Sequence, residues 1–67
     1  MPRKIRELKR DLLRAGFTQR KGKGSHTVWE HPDVSYNVAI SGNDGADAKP
    51  YQEELVSDAV RDVRKTP

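Results

Sequence analysis

The sequence predicts an α+β domain with element order α-β-β-β-α, in which two helices cover one face of a three-stranded antiparallel sheet. Three observations carry that expectation. Apolar residues recur at helical spacing towards both ends, at Ile5, Leu8, Leu12 and Leu13 and again at Tyr51, Leu55, Ala59, Val60 and Val63. Between them lies a stretch of β-formers, punctuated by the turn signals Gly22-Lys23-Gly24 and His31-Pro32-Asp33. The chain of 67 residues suffices for one thin core, so residues 1–67 are expected to form a single domain.

The first helix is expected at roughly residues 3–15. Pro2 suits an early helical position, where a missing N–H costs nothing. Gly16 can adopt the left-handed conformation that closes a helix, and Phe17 can fold back on the last turn. A short strand follows near Thr18–Lys21. The second strand, about Ser25–Glu30, carries Thr27, Val28 and Trp29. The third, Ser35–Ile40, alternates, with Tyr36, Val38 and Ile40 on one face and Ser35, Asn37 and Ala39 on the other. Residues 41–47 read as loop. The second helix follows Asp47 or Ala48, with Pro50 near its first position and Glu53 and Glu54 in its first turn. Arg61, Arg64 and Lys65 sit at its far end and again match the helix dipole.

Composition excludes several classes. With no Cys there is no disulfide and no thiolate metal site, and with two His alone a structural zinc site is not expected. No apolar run spans a bilayer and no signal-peptide core follows the basic N-terminus, so the chain reads as soluble and cytoplasmic, with no membrane partner. The net charge of +3 conceals two opposed halves. Residues 1–24 hold nine Lys/Arg against two acids, a balance of +7, whereas residues 25–67 hold four against eight, a balance of −4. The basic half suits a polyanion, and its alternative reading is a solvated helix face plus a charged turn.

Arg20-Lys21-Gly22-Lys23 leads directly into Gly24-Ser25-His26. A flexible basic segment can seat a phosphate backbone, and imidazole is the side chain suited to moving a proton near neutral pH. The pair points to chemistry on RNA; the alternative is a basic hairpin turn followed by a strand that carries a His. Trp29 offers the larger apolar area and is placed facing the helices, with Thr27 and His31 on its side. His26, Val28 and Glu30 then take the open face, while the opposite register would bury His26. Ser25 lacks a triad and reads as a phosphate contact or a strand start. His31 reads as a structural turn residue. Asp44 and Asp47 lack the spacing of a calcium loop, and Gly22 and Gly24 lack the helix that a nucleotide-binding loop requires.

These residues together resemble the HicA family of small toxins from bacterial type II toxin–antitoxin systems. The resemblance rests on Arg6-Glu7-Leu8, Ala15-Gly16-Phe17, Arg20 through His26, and His31-Pro32-Asp33. It implies a fold similar to a double-stranded-RNA-binding domain. It also implies an mRNA interferase, an endoribonuclease whose Gly-Ser-His histidine is essential, and a HicB-like antitoxin as partner. Gly24, Ser25 and His26 match that motif. Family members often carry a Pro and a second His at the end of the third strand, where this chain reads Ala39-Ile40-Ser41-Gly42-Asn43.

The expected function is therefore that of a toxin that cleaves mRNA without metal or cofactor. The RNA 2′-OH supplies the nucleophile and His26 acts as the catalytic base. Arg20, Lys21 and Lys23 would bind phosphates, with Lys9 and Arg10 extending the track if they face the same way. The alternative is a non-catalytic RNA-binding module of the same fold, and a third reading is a protein adaptor acting through the acidic second helix. An acidic antitoxin is expected to cover His26 and the basic turn.

Overall fold

The computed structural model describes residues 3–22, 24 and 26–65. Its order is α1 (Ile5–Arg14), β1 (Thr18–Lys21), β2 (Thr27–Glu30), β3 (Val38–Ile40) and α2 (Pro50–Lys65), as expected. Pro2 lies outside the described residues.

Both ends of α1 are closed by identifiable contacts. At the start, the Ile5 and Arg6 N–H groups donate to the carbonyls of Ala46 and Asp44, at 2.9 and 3.1 Å. The loop after β3 thus supplies acceptors that the helix itself lacks. Glu7 Oε1 accepts from the Lys4 N–H at 3.3 Å, which serves a further donor. At the far end Gly16 has φ +97°. The Gly16 N–H donates to Leu13 O at 3.1 Å and the Phe17 N–H to Leu12 O at 3.0 Å, the paired bonds of a Schellman motif. Phe17 is thereby turned into the core, 2% exposed.

The sheet order is β1-β2-β3, antiparallel throughout. Trp29 stands opposite Gln19 and Val38, and Thr27 opposite Ile40. Trp29, Thr27, Val38 and Ile40 are buried, together with Ile5, Leu8 and Leu12 of α1 and Val56 and Ala59 of α2. Trp29 therefore faces the helices, as its size demands. Its Nε1–H donates to Thr27 Oγ1 at 3.0 Å, and the Thr27 hydroxyl donates to Ile40 O at 3.3 Å. On the other face Arg20, Val28 and Ala39 stand in line across the three strands.

Three expectations about packing are corrected. The third strand is shorter than residues 35–40, because β2 ends at Glu30 and a turn closed by the Val34 N–H on His31 O uses up the partner residues. Tyr36 is therefore exposed, and its hydroxyl bonds Asp62 of α2 instead of packing beside Val38. In α2 the buried stripe is Gln52, Val56 and Ala59, with Val60 and Val63 partly buried, while Tyr51 and Leu55 are 55% and 44% exposed. Gln52 earns its buried place by accepting from the Lys49 N–H at 2.8 Å and donating to Ser41 O at 3.0 Å, which ties α2 to the end of β3. Leu13 is 58% exposed, since the α1 stripe is complete with Ile5, Leu8 and Leu12.

Two outcomes follow from these contacts. Gly16→Ala forces a β-carbon into the left-handed region and to 3.1 Å from His31 Nε2. It should cost about 1–2 kcal/mol, read as a fall in denaturant midpoint with unchanged slope. The hydrogen bond to Asp62, with burial and the charges of Asp62 and Asp58, pushes the Tyr36 hydroxyl from 10.0 up to about 12. A raised folded-state value adds stability that is whole below the ordinary value and is lost as pH rises through the folded one. Urea unfolding should show the wild type losing a small increment of stability between pH 10 and about 12 that Tyr36→Phe does not lose.

Candidate functional site

His26 sits one residue before β2, and its side chain is exposed. The Gly22 N–H donates to His26 O at 3.1 Å, continuing the β1–β2 pairing one step past the strands. A β-carbon on Gly22 would stand 2.9 Å from that oxygen, so glycine is what lets the two segments close here. Gly24 turns the chain with φ +62°.

At this end of the sheet His26 borders a depression of about 520 Å³. Its other walls include Lys9 from α1, Gln19 from β1, Gly22 and Gly24 from the turn, and Gly42, Asn43 and Asp44 from the loop after β3. His26 was expected beside Val28 and Glu30 on the open face. It is exposed as expected, but it looks onto the junction of α1, the turn and the 41–48 loop, because it precedes the strand whose alternation would have placed it.

The remaining expected residues separate. Arg20 is exposed on the open face, where Arg20 Nε lies 3.5 Å from Glu30 Oε1. Lys21 ends β1 with its Cα opposite Thr27. Lys23 and Ser25 lie outside the described residues. Of the helix cations, Lys9 lines the depression, whereas Arg10 is exposed and does not. His31 is away from the site. It packs on Phe17 with ring centroids 5.2 Å apart, and its Nδ1 accepts from the Asp33 N–H at 3.0 Å, which leaves Nε2 to carry the proton of the neutral ring. Its structural role follows from those two contacts.

The expectation from sequence missed Asp44. Lys9 Nζ lies 2.6 Å from Asp44 Oδ1, although 35 residues separate them. No local pattern signals that pair. The position of Lys9 was legible, since it falls four residues after Ile5 and three before Leu12, on the margin of the buried stripe. Among the described residues, no group of three or more His, Cys, Asp or Glu side chains is placed to hold a metal ion. A larger groove of about 640 Å³ runs between α1 and α2 over Val56 and Val60, but none of the expected site residues lines it.

A family model for the HicA toxin of bacterial toxin–antitoxin systems matches residues 5–56, well over half of the chain. The chain belongs to the HicA toxin family. The matched stretch begins with α1 and ends within α2, so it takes in Lys9, the basic turn, His26 and Asp44. Membership gives this HicA chain the role of a toxin and implies an antitoxin as its counterpart. No curated protein and no solved structure gave a significant match. Among the described residues, no helix is long and apolar enough to cross a membrane.

Proposed function

We propose that this HicA-family toxin is a metal-independent endoribonuclease that cleaves mRNA with His26 as the general base. The observation that carries this reading is an exposed His26 on the rim of a depression, at the end of the hairpin whose first strand bears Arg20 and Lys21. RNA carries its own nucleophile beside every scissile phosphate. His26 takes the proton from the 2′-OH, and the 2′-oxygen attacks phosphorus. The bond to the 5′-oxygen breaks, water returns a proton to that oxygen, and the other fragment ends in a 2′,3′-cyclic phosphate.

The chain's own residues supply what this reaction needs. Lys and Arg side chains of the hairpin hold the backbone phosphates and offset charge that develops on their oxygens. Gly24 and Ser25 belong to the motif that brings the backbone of the turn close to the RNA. Phosphate contacts position the strand without reading sequence, so base preference should be low. A HicB-like antitoxin would silence the toxin by covering His26 and this turn, in the cytoplasm where mRNA is met. A second reading, an RNA-binding module without cleavage, is favoured by the absence of a second His from residues 39–43.

His26→Ala should fold like the wild type, because the side chain is exposed, and should lose about 10²–10⁴-fold in RNA cleavage. The assay is cleavage of a defined RNA with and without EDTA. Wild-type cleavage abolished by EDTA would remove the metal-independent mechanism, and an unimpaired His26→Ala would remove the base. Replacing Arg20, Lys21 and Lys23 together with Ala should weaken binding evenly across RNA sequences. The slope of log affinity against log salt should fall by up to about 2, at about 0.7 per lost single-strand phosphate contact. An unchanged slope would place the phosphate track elsewhere.

A further inference from the structure

We propose that Lys9 is the cation that takes the RNA phosphate beside His26, and that Asp44 is its counter-ion in the free toxin, exchanged for that phosphate on binding. The proposal rests on the ribonuclease reading above and names a contact and an internal competitor within the same site.

Burial distinguishes Lys9 from the other cations of its helix. Arg6, Arg10 and Arg14 are exposed, whereas the Lys9 side chain is 19% exposed. Its methylene stem lies along the margin of the buried stripe, so the ammonium group is delivered to one place. That place is the depression that His26 borders. Lys4, the nearest comparable cation in sequence, is tied to Asp47 Oδ1 at 2.5 Å and does not line it.

Asp44 is the movable member of the pair. Its side chain is 64% exposed, while Lys9 is held. Its backbone is anchored, since Asp44 O accepts from the Arg6 N–H at 3.1 Å. Exchange therefore requires a side-chain rotation and leaves the loop in place. A carboxylate and a phosphate present the same kind of anionic oxygen to an ammonium group. A partly exposed ion pair is worth little, so a polyanion that brings further contacts can displace it. Until displaced, Asp44 adds negative charge to a cleft meant for phosphate and weakens binding.

The test is fluorescence anisotropy with a short labelled single-stranded RNA across a salt series, in the His26→Ala background so that the RNA stays intact. Lys9→Gln should weaken binding about tenfold and lower the salt slope by about 0.7. Lys9→Arg should recover most of the lost affinity. Asp44→Asn, which keeps shape and backbone, should tighten binding up to about fivefold. Unchanged affinity and slope in Lys9→Gln would overturn the phosphate contact. Weaker binding in Asp44→Asn would overturn the counter-ion role and show that Asp44 positions Lys9 instead. Circular dichroism and thermal unfolding accompany each variant. If Lys9→Gln fails to fold, the sign of the Asp44→Asn effect decides the proposal. Because RNA binding is read without cleavage, a failure of His26 as base and a failure of Lys9 as ligand appear in different measurements.

Discussion

Burial of Trp29 is the constraint on which the rest of this fold depends. Its indole is fully enclosed, and its N–H has one outlet, the Thr27 hydroxyl, which in turn is spent on Ile40 O. An unpaired indole N–H in a core this small would be costly, so the indole, the hydroxyl and the carbonyl must coincide. That coincidence fixes β2 against β3 and sets which face of the sheet meets the helices. A slip of one residue would turn Trp29 to solvent and drive Val28 and Glu30 inward. His26 lies three residues before Trp29, at the turn end of the β1–β2 hairpin, where the Gly22 N–H donates to its carbonyl.

The second organising feature is the loop after β3. It caps α1 through Asp44 O and Ala46 O, and it pairs Asp47 with Lys4 and Asp44 with Lys9. The strongly basic first third of the chain is thus partly neutralised by the acidic remainder. Among the described residues of that third, the exposed cations include Arg6, Arg10 and Arg14 along α1 and Arg20 on the sheet, the last beside Glu30. Among the described residues, the exposed cationic surface is narrower than the charge balance of the basic half suggests. Residues 42–44, in the loop after β3, reach the rim of the His26 depression.

Much of the architecture was legible beforehand, because local rules and the tertiary fold agree where they both act. Gly16 ends α1 in the conformation that only glycine adopts cheaply, β1 spans the expected residues, and Trp29 faces inward because no other strand residue offers as much apolar area. Tyr36 was misplaced because β3 is shorter than its alternation suggests, whereas Tyr51, Leu55 and Leu13 share another reason. Periodicity finds apolar residues, but a thin core has room for one stripe per helix, and hydrogen bonding can fill a place in it with Gln52 instead.

The sequence by itself determined the order of elements, the C-terminal end of α1 at Gly16, the inward face of β2 and the basic approach to His26. Each of these depends on neighbours within a few residues, where backbone preference and side-chain alternation suffice. The tertiary structure alone decided that Lys9 and Asp44 meet, and that His26 looks onto them instead of across the sheet. Those contacts join α1 to a loop 35 residues further along the chain. Their geometry is set by how the loop closes on the helix N-terminus, and no periodicity in the sequence encodes that closure.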